Sequence, residues 1–186
     1  MVLGALALAV PAAAESFAGR WGTGGTIGPA WAIGSDKARD EEDVGLAGGG
    51  WVGYGLSKRL SARVGYDNYD PPCSGNQPLA APNAPPGAGH GRDISVETVQ
   101  LSGGLALDPD SKWNPSVRLG IGPAWVHGVE SHDHTTRFGV SAGLALERFV
   151  TPHIAVGGAL DWIGIMGQGD RDVHMLRPGL TAGYWF

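Results

Sequence analysis

The chain has 186 residues, of which 32 are glycine, 17% are charged and 42% are hydrophobic. This composition is too apolar for a highly charged disordered chain, and the glycines lack the three-residue period of collagen. A net charge of −5 excludes the basic surface expected of a nucleic-acid-binding protein, and the single cysteine, Cys73, excludes an intramolecular disulfide framework and a cysteine-based zinc site.

The first predicted element is an export signal. Residues 2–14 form an apolar run that ends in three alanines before Glu15. The run is too short to span a bilayer as a helix, which takes roughly 20 residues, and it is typical of a signal peptide. No basic residue precedes it, so we expect a truncated start or an atypical signal. The prediction is a signal peptide at 1–14 and one domain at 15–186; the alternative is the N-terminal segment of a soluble protein.

Apolar residues alternate with small ones through the rest of the chain, which predicts β-strands rather than helices. In residues 138–146, for example, the even positions are apolar and the odd positions are Gly, Ser or Ala. The links between such segments alternate in length, which is typical of an up-and-down barrel with one plain rim and one elaborated rim. This pattern predicts eight strands, at 17–28, 44–57, 60–69, 94–107, 115–129, 136–148, 153–165 and 173–186.

The size of the side chains predicts which face of this barrel contacts water. A soluble eight-stranded barrel such as a lipocalin buries its large apolar side chains and exposes long polar ones. Here the second set is mainly Gly, Ala and Ser, which suits the narrow inside of an eight-stranded barrel. The large apolar set then faces outward, where only lipid can cover it. We therefore predict an all-β, eight-stranded antiparallel transmembrane barrel, with a soluble lipocalin-like carrier as the alternative.

Aromatic residues near the ends of the predicted strands are expected to mark the two membrane interfaces. Interfacial aromatic rings place an apolar body in lipid and a polar edge near water. The residues predicted at the plain rim are Phe17, Trp113, Phe149, Tyr184 and Phe186. Those predicted toward the elaborated rim are Tyr66, Trp125, Phe138 and Trp162.

Three internal segments, at 56–69, 117–120 and 143–155, and the ending 180–186 share an order and spacing with one known family. They resemble the second hairpin, the later strands with the last tight turn, and the terminal strand of the OmpA-type outer-membrane barrel domain. In that family the terminal strand is read by the barrel-assembly machinery, so the resemblance implies that Tyr184 and Phe186 form the assembly signal. Because the chain stops at Phe186, we do not expect the peptidoglycan-binding domain of full-length members.

Charged side chains are predicted inside the barrel by the same alternation. Five positive and four negative residues point inward, so the interior is nearly balanced, and pairing would offset the cost of burying them. The predicted pairs are Asp161 with Arg177, Arg118 with Glu147, and Glu130 with Arg137. The remaining predicted lumen charges are Arg20, Arg63 and Asp67. This arrangement predicts a plugged lumen rather than an open pore.

Two other groups of residues are candidates for a chemical site. His132 and His134 flank Asp133 in a predicted loop and could ligate a transition metal, but this ligand set is too small to predict a metal site. A lipid-modifying barrel enzyme would need a serine and a histidine within hydrogen-bond reach. The candidates are Ser102, Ser141, His153 and His174, and their predicted heights and facings do not converge. We therefore predict no catalytic residues and no cofactor.

The sequence thus predicts a non-enzymatic outer-membrane barrel, surrounded by outer-membrane lipids after export through the periplasm. Its role would be structural or surface-interactive, with a lumen closed by ion pairs. Two predicted loops are candidate contact surfaces for unidentified partners. The loop at 29–43 is acidic, and the loop at 71–92 is rich in proline. The alternatives are a small porin-like diffusion channel and, third, a lipid-modifying barrel enzyme.

Overall fold

Eight antiparallel β-strands close into a barrel in the computed structural model of the protein, which describes residues 17–33, 44–70, 95–127, 135–166 and 172–186. Each strand pairs with its neighbours in chain order, and the last pairs with the first. Across these ranges no helix is long and apolar enough to cross a membrane. The predicted up-and-down fold is confirmed. The strands are β1 (Trp21–Ile33), β2 (Val44–Gly55), β3 (Leu60–Asp70), β4 (Ser95–Ala106), β5 (Trp113–His127), β6 (Thr135–Phe149), β7 (Ile154–Met166) and β8 (Val173–Trp185).

The first strand is the one whose predicted boundaries are wrong. The other seven start and end within two residues of the prediction, whereas β1 starts four residues later than predicted and continues to Ile33. Residues 29–33 of the predicted loop 29–43 therefore belong to the barrel wall. Pro29 suggested a break, but it occupies a strand position opposite Leu46 of β2. The predicted signal peptide at 1–14 lies outside the described residues.

The two ends of the barrel differ. At one end, which we call the turn end, short connections at 56–59, 107–112 and 150–153 join neighbouring strands. The connections at the opposite end, at 34–43, 71–94, 128–134 and 167–171, lie outside the described residues. Between the two ends, large apolar side chains face outward; Leu119, Leu144 and Leu180 are 64%, 57% and 74% exposed. Such a band is stable in contact with acyl chains rather than water.

Two prolines interrupt the pairing that closes the barrel. The β1–β8 register runs from Gly22 opposite Trp185 to Ile27 opposite Leu180, and resumes at Trp31 opposite Leu176. This register places Pro29 opposite Pro178. Trp21 and Phe186 exchange both backbone hydrogen bonds, and hydrogen-bonded pairs recur at every second residue of an antiparallel ladder. The two prolines therefore occupy a hydrogen-bonded position, where neither has an N–H to donate.

Replacing Pro178 with valine should stabilise the barrel. The variant gains a backbone N–H opposite the Pro29 carbonyl, and a restored hydrogen bond contributes about 0.5–1.5 kcal/mol to the free energy of unfolding. Urea titration of the barrel in lipid vesicles, followed by tryptophan fluorescence, measures this change. Leu180→Val is the matched control, since it alters an outward side chain of the same strand without adding a donor. An unfolding free energy equal to that of the wild type in Pro178→Val would contradict this explanation of the gap.

Candidate functional site

The lumen is filled in three layers. At the turn end, Phe17, Ala106, Ala155 and Trp185 form a buried apolar cluster, against which Trp51 and Phe149 pack. Charged and polar side chains fill the middle of the barrel. The opposite end is filled by a second buried apolar cluster. That cluster comprises Ala30, Ala47, Tyr69, Val96, Ala124, Ile163, Ile165 and Met175. The middle layer is thus enclosed by apolar side chains on both sides along the barrel axis.

Arg177 is the centre of one ion-pair group in the middle layer. Its Nη1 donates to Asp67 Oδ1 at 2.6 Å, and its Nη2 donates to Asp161 Oδ2 at 3.0 Å. Asp161 lies directly opposite Arg177 on β7, whereas Asp67 projects from β3. The guanidinium is buried, and two carboxylates offset the free-energy cost of removing its charge from water.

Glu147 is the centre of a second ion-pair group. Its Oε1 accepts from Arg118 Nη2 at 3.1 Å and from the hydroxyl of Thr181 at 3.4 Å. Its Oε2 lies 3.9 Å from Arg63 Nη2, which is an ion pair but too long for a hydrogen bond. One carboxylate therefore serves two arginines in this group, whereas two carboxylates serve one arginine in the group around Arg177.

Aromatic rings hold the guanidinium of Arg63 from the turn-end side. The Cζ atom of Arg63 lies 4.1 Å from the centroid of the Trp51 ring and 5.7 Å from that of Trp185. A cation over an indole face is attracted by the ring quadrupole, and the attraction is stronger where water is excluded. The boundary between the ionic layer and the turn-end apolar cluster is therefore a cation–π contact.

Glycines opposite the large interior side chains make room for them. A Cβ atom added at Gly49 would overlap the Asp67 carboxylate, and one added at Gly143 would overlap that of Asp161. A Cβ added at Gly53 would lie 2.7 Å from Arg63 Cγ. Because side chains converge toward the axis of a narrow barrel, these three charged residues occupy space that a side chain at the neighbouring glycine would fill. This steric need accounts for part of the high glycine content.

The structure brings together six of the nine charges predicted inside the lumen: Arg63, Asp67, Arg118, Glu147, Asp161 and Arg177. Arg20 lies apart at the turn end, where its Nη2 is 2.8 Å from both the Trp185 carbonyl and His153 Nδ1. The β5–β6 register pairs Arg137 with Ala124, while Glu130 lies outside the described residues. Arg118 is opposite Gly143 rather than Glu147, and its long side chain spans the difference.

For two of the aromatic residues, the predicted position at the membrane interface is wrong. Phe17 is buried in the turn-end cluster, where it stacks on Trp185 at 5.3 Å, and Phe149 packs against the same cluster. Both occupy positions that face the lumen, so they help close the barrel rather than contact lipid. The other three aromatics predicted at this rim are exposed and face outward; they are Trp113, Tyr184 and Phe186. At the other end Tyr66 and Phe138 are exposed, and Trp162 stacks on His174.

Several residues of the lumen were missed by the sequence analysis. Trp51 and Trp185 occupy inward positions of β2 and β8, so the alternation of the sequence indicates that they face the lumen. Large apolar residues were predicted on the lipid face, which points the other way. Gln100, Ser141 and Thr181 are also inward and buried or half-buried. The Ser141 hydroxyl donates to Gln100 Oε1. Neutral polar residues carry no sequence pattern that separates them from the small residues around them.

The serines and histidines considered for catalysis do not meet. The Ser102 hydroxyl donates to the Arg63 carbonyl at 3.5 Å, and His153 Nδ1 lies 2.7 Å from the Trp185 carbonyl. His174 stacks on Trp162, on the outward face. Among the described residues no group of three or more His, Cys, Asp or Glu side chains could hold a metal ion. The histidines considered for metal binding, His132 and His134, lie outside them.

A closed barrel with an outward apolar band and an ion-paired interior defines a transmembrane β-barrel. The sequence matches the family of the outer membrane protein beta-barrel domain over residues 1–175, and the chain belongs to this family. The family places the protein in the outer membrane, and the resemblance to OmpA-type barrels is confirmed. Among curated proteins, none matches the sequence significantly.

Solved outer-membrane barrels share this fold. Neisserial surface protein A (NspA) is 15% identical, with a TM-score of 0.66 over 89% of this chain and 97% of that chain. The N-terminal barrel domain of OprF from Pseudomonas aeruginosa is 15% identical, with a TM-score of 0.56 over 90% and 98%. OprG from the same organism is 14% identical, with a TM-score of 0.53 over 93% and 98%. At these identities the likeness shows the fold alone.

Removing Arg177 should cost much more stability than removing one of its partners. Arg177→Met leaves the buried carboxylate of Asp161 and the half-buried one of Asp67 without this cation, and breaking a buried pair in this way costs about 3–5 kcal/mol. Asp161→Asn should cost less, since Asp67 remains bound at 2.6 Å. Urea titration in lipid vesicles gives both values. Lys58→Met is the control, because the exposed pair of Lys58 with Asp110 should contribute less than about 1 kcal/mol. Equal losses for the Arg177 and Lys58 variants would contradict the ranking.

A methyl group should be tolerated at an outward glycine and not at an inward one. Gly143→Ala forces the Asp161 carboxylate away from its position, so we expect a loss of about 1–3 kcal/mol, as for overpacking a core. Gly103→Ala is the matched control, because an added Cβ there meets nothing within 4 Å. It should be neutral or stabilising, since alanine restricts the unfolded chain. The same urea titrations compare the two variants, and similar values for both would refute the steric role of Gly143.

Proposed function

We propose that this protein is a non-enzymatic outer-membrane barrel with a lumen closed to solutes, serving a structural and surface-interaction role. The observation that carries the proposal is the three-layer filling of the lumen. Apolar clusters lie on both sides of the ionic layer, and the ionic layer is itself joined by four ion pairs among six side chains. A diffusing solute would have to displace bulky side chains at each level.

The runner-up function, a small diffusion channel, has less support. An aqueous channel needs a continuous polar path, and large porins provide it with 16 or more strands. In the described part of this eight-stranded barrel, the lumen at the turn end contains Phe17, Trp51 and Trp185, with ring centroids 5.3 and 5.5 Å apart. A path for ions through this layer would require the rings to rearrange.

An enzymatic role has the least support. Covalent acyl transfer needs a nucleophile activated by an adjacent base. The hydroxyls of Ser102 and Ser141 are engaged with a backbone carbonyl and with Gln100. His153 lies at the turn end against Trp185, and His174 faces outward. All four candidates lie in the described residues, and neither serine is hydrogen-bonded to either histidine. This supports the non-enzymatic proposal.

The proposed partners follow from the outer surface. Tyr184 and Phe186 are 46% and 62% exposed, with ring centroids 6.2 Å apart, which supports their role as the signal for the barrel-assembly machinery. Outer-membrane lipids would cover the apolar band. We further propose export through the periplasm directed by residues 1–14, and contacts with surface partners through residues 34–43 and 71–92. These segments lie outside the described residues.

Single-channel recording in planar bilayers tests the closed lumen. The wild-type protein should show no steady conductance. The double variant Trp51→Ala/Ile163→Ala thins both apolar layers and should open more often than the wild type, because water can then reach the ionic layer. Val52→Ala/Leu160→Ala is the matched control, since both side chains face outward. A steady wild-type conductance would overturn the closed-lumen proposal and favour the diffusion channel.

A further inference from the structure

The middle layer contains a cavity with about 70 Å³ of space for the centres of water-sized molecules. Its lining includes the three arginines and the two aspartates of the ion-pair groups, together with Trp51, Gln100 and Ser141. One water molecule needs about 10–15 Å³ on this measure, so the cavity has room for a small ion together with water. The cavity lies between the two apolar clusters, in the part of the lumen where electrostatic interactions are least screened.

The buried polar atoms that line this cavity are unusual in their chemistry. Each one that lacks a hydrogen-bond partner among the described residues is an N–H donor. Arg63 is 8% exposed, and its Nε and Nη1 have no hydrogen-bond partner among the described residues. The carboxylate oxygen paired with it, Glu147 Oε2, lies 3.9 Å from its Nη2. Gln100 Oε1 already accepts from Ser141. The unpartnered donors are Trp51 Nε1, Arg63 Nε and Nη1, Gln100 Nε2, Arg118 Nε and Arg177 Nε.

The charge in this layer is also unevenly distributed. The group around Arg177 has one cation and two carboxylates, so its net charge is −1. The group around Glu147 has two cations and one carboxylate, so its net charge is +1. Half of the unpartnered donors belong to Arg63 and Arg118, the cations of the positive group. The donors and the uncompensated positive charge therefore coincide.

We propose that Arg63 and Arg118 bind a small monovalent anion of halide size inside the barrel. An anion accepts several N–H bonds at once and neutralises the excess charge of the group around Glu147. The indole of Trp51 packs against the guanidinium of Arg63, with Cζ 4.1 Å from the ring centroid. This site is independent of the proposed structural role.

Bromide is the probe for this site. The full chain is refolded in sodium bromide, and crystals are measured at the bromine absorption edge. The expected result is an anomalous peak in the lumen within hydrogen-bond distance of Arg63 and Arg118. In solution, the urea midpoint should be higher in bromide than in gluconate at the same ionic strength, since the six-carbon gluconate is much bulkier than a halide ion. Absence of an anomalous peak in the lumen, or equal midpoints in the two salts, would overturn the proposal.

Substitutions at the proposed site and away from it test where the bromide binds. Arg63→Gln and Arg118→Gln should lose the difference between bromide and gluconate, whereas Arg148→Gln, an exposed arginine beside Trp113, should keep it. Glu147→Gln removes the competing carboxylate and keeps both arginines, so the bromide concentration for half of the effect should fall about tenfold, equivalent to 1.4 kcal/mol. This variant tests the site even if the arginine variants do not fold. An unchanged or weaker bromide dependence in Glu147→Gln would contradict an anion at this position.

Discussion

The structure depends on one constraint: in hydrocarbon, every backbone N–H and C=O must find its partner within the protein. A sheet satisfies this only by closing on itself, which is why β8 returns to pair with β1. The same medium favours large apolar groups on the outside of the barrel and disfavours charged groups there, because a charged group in lipid loses its hydration. The seam at Pro29 and Pro178 departs locally from this constraint, since the closing ladder lacks two donors there.

Closure with eight strands makes the interior narrow, and the narrowness determines its contents. Charged side chains that point inward cannot be hydrated as they would be at a surface, so they must find counter-ions across the lumen. Arg177 reaches carboxylates on β3 and β7, and Glu147 reaches arginines on β3 and β5. Two of the ion pairs join neighbouring strands, and the other two, Arg177 with Asp67 and Glu147 with Arg63, cross the lumen between strands that are not neighbours in the sheet. The glycines opposite these side chains belong to the same arrangement, because they provide the volume that the pairs occupy.

Apolar clusters lie on both sides of the ionic layer in the described part of the interior. Phe17 precedes β1 and packs against Trp185 at the end of β8, so the two ends of the described chain meet in the turn-end cluster. Arg20 adds a polar contact at the same place through the Trp185 carbonyl. The turn end is thus held by both backbone pairing and side-chain packing. The ionic layer lies between this cluster and the second one along the barrel axis.

The sequence by itself determined the number of strands, both boundaries of seven of the eight strands to within two residues, and the facing of most side chains, because alternation with period two is a local property of a strand. It also indicated the inward charges and the direct pair Asp161 with Arg177, since a hairpin sets its own register. Only the tertiary structure decided that Asp67 joins Arg177 across 110 residues, that Arg63 shares Glu147 with Arg118, and that Phe17, Trp51 and Trp185 pack together at the turn end. These contacts cross the lumen between distant strands, and their geometry depends on how the closed barrel tilts and staggers its strands, which no local pattern records.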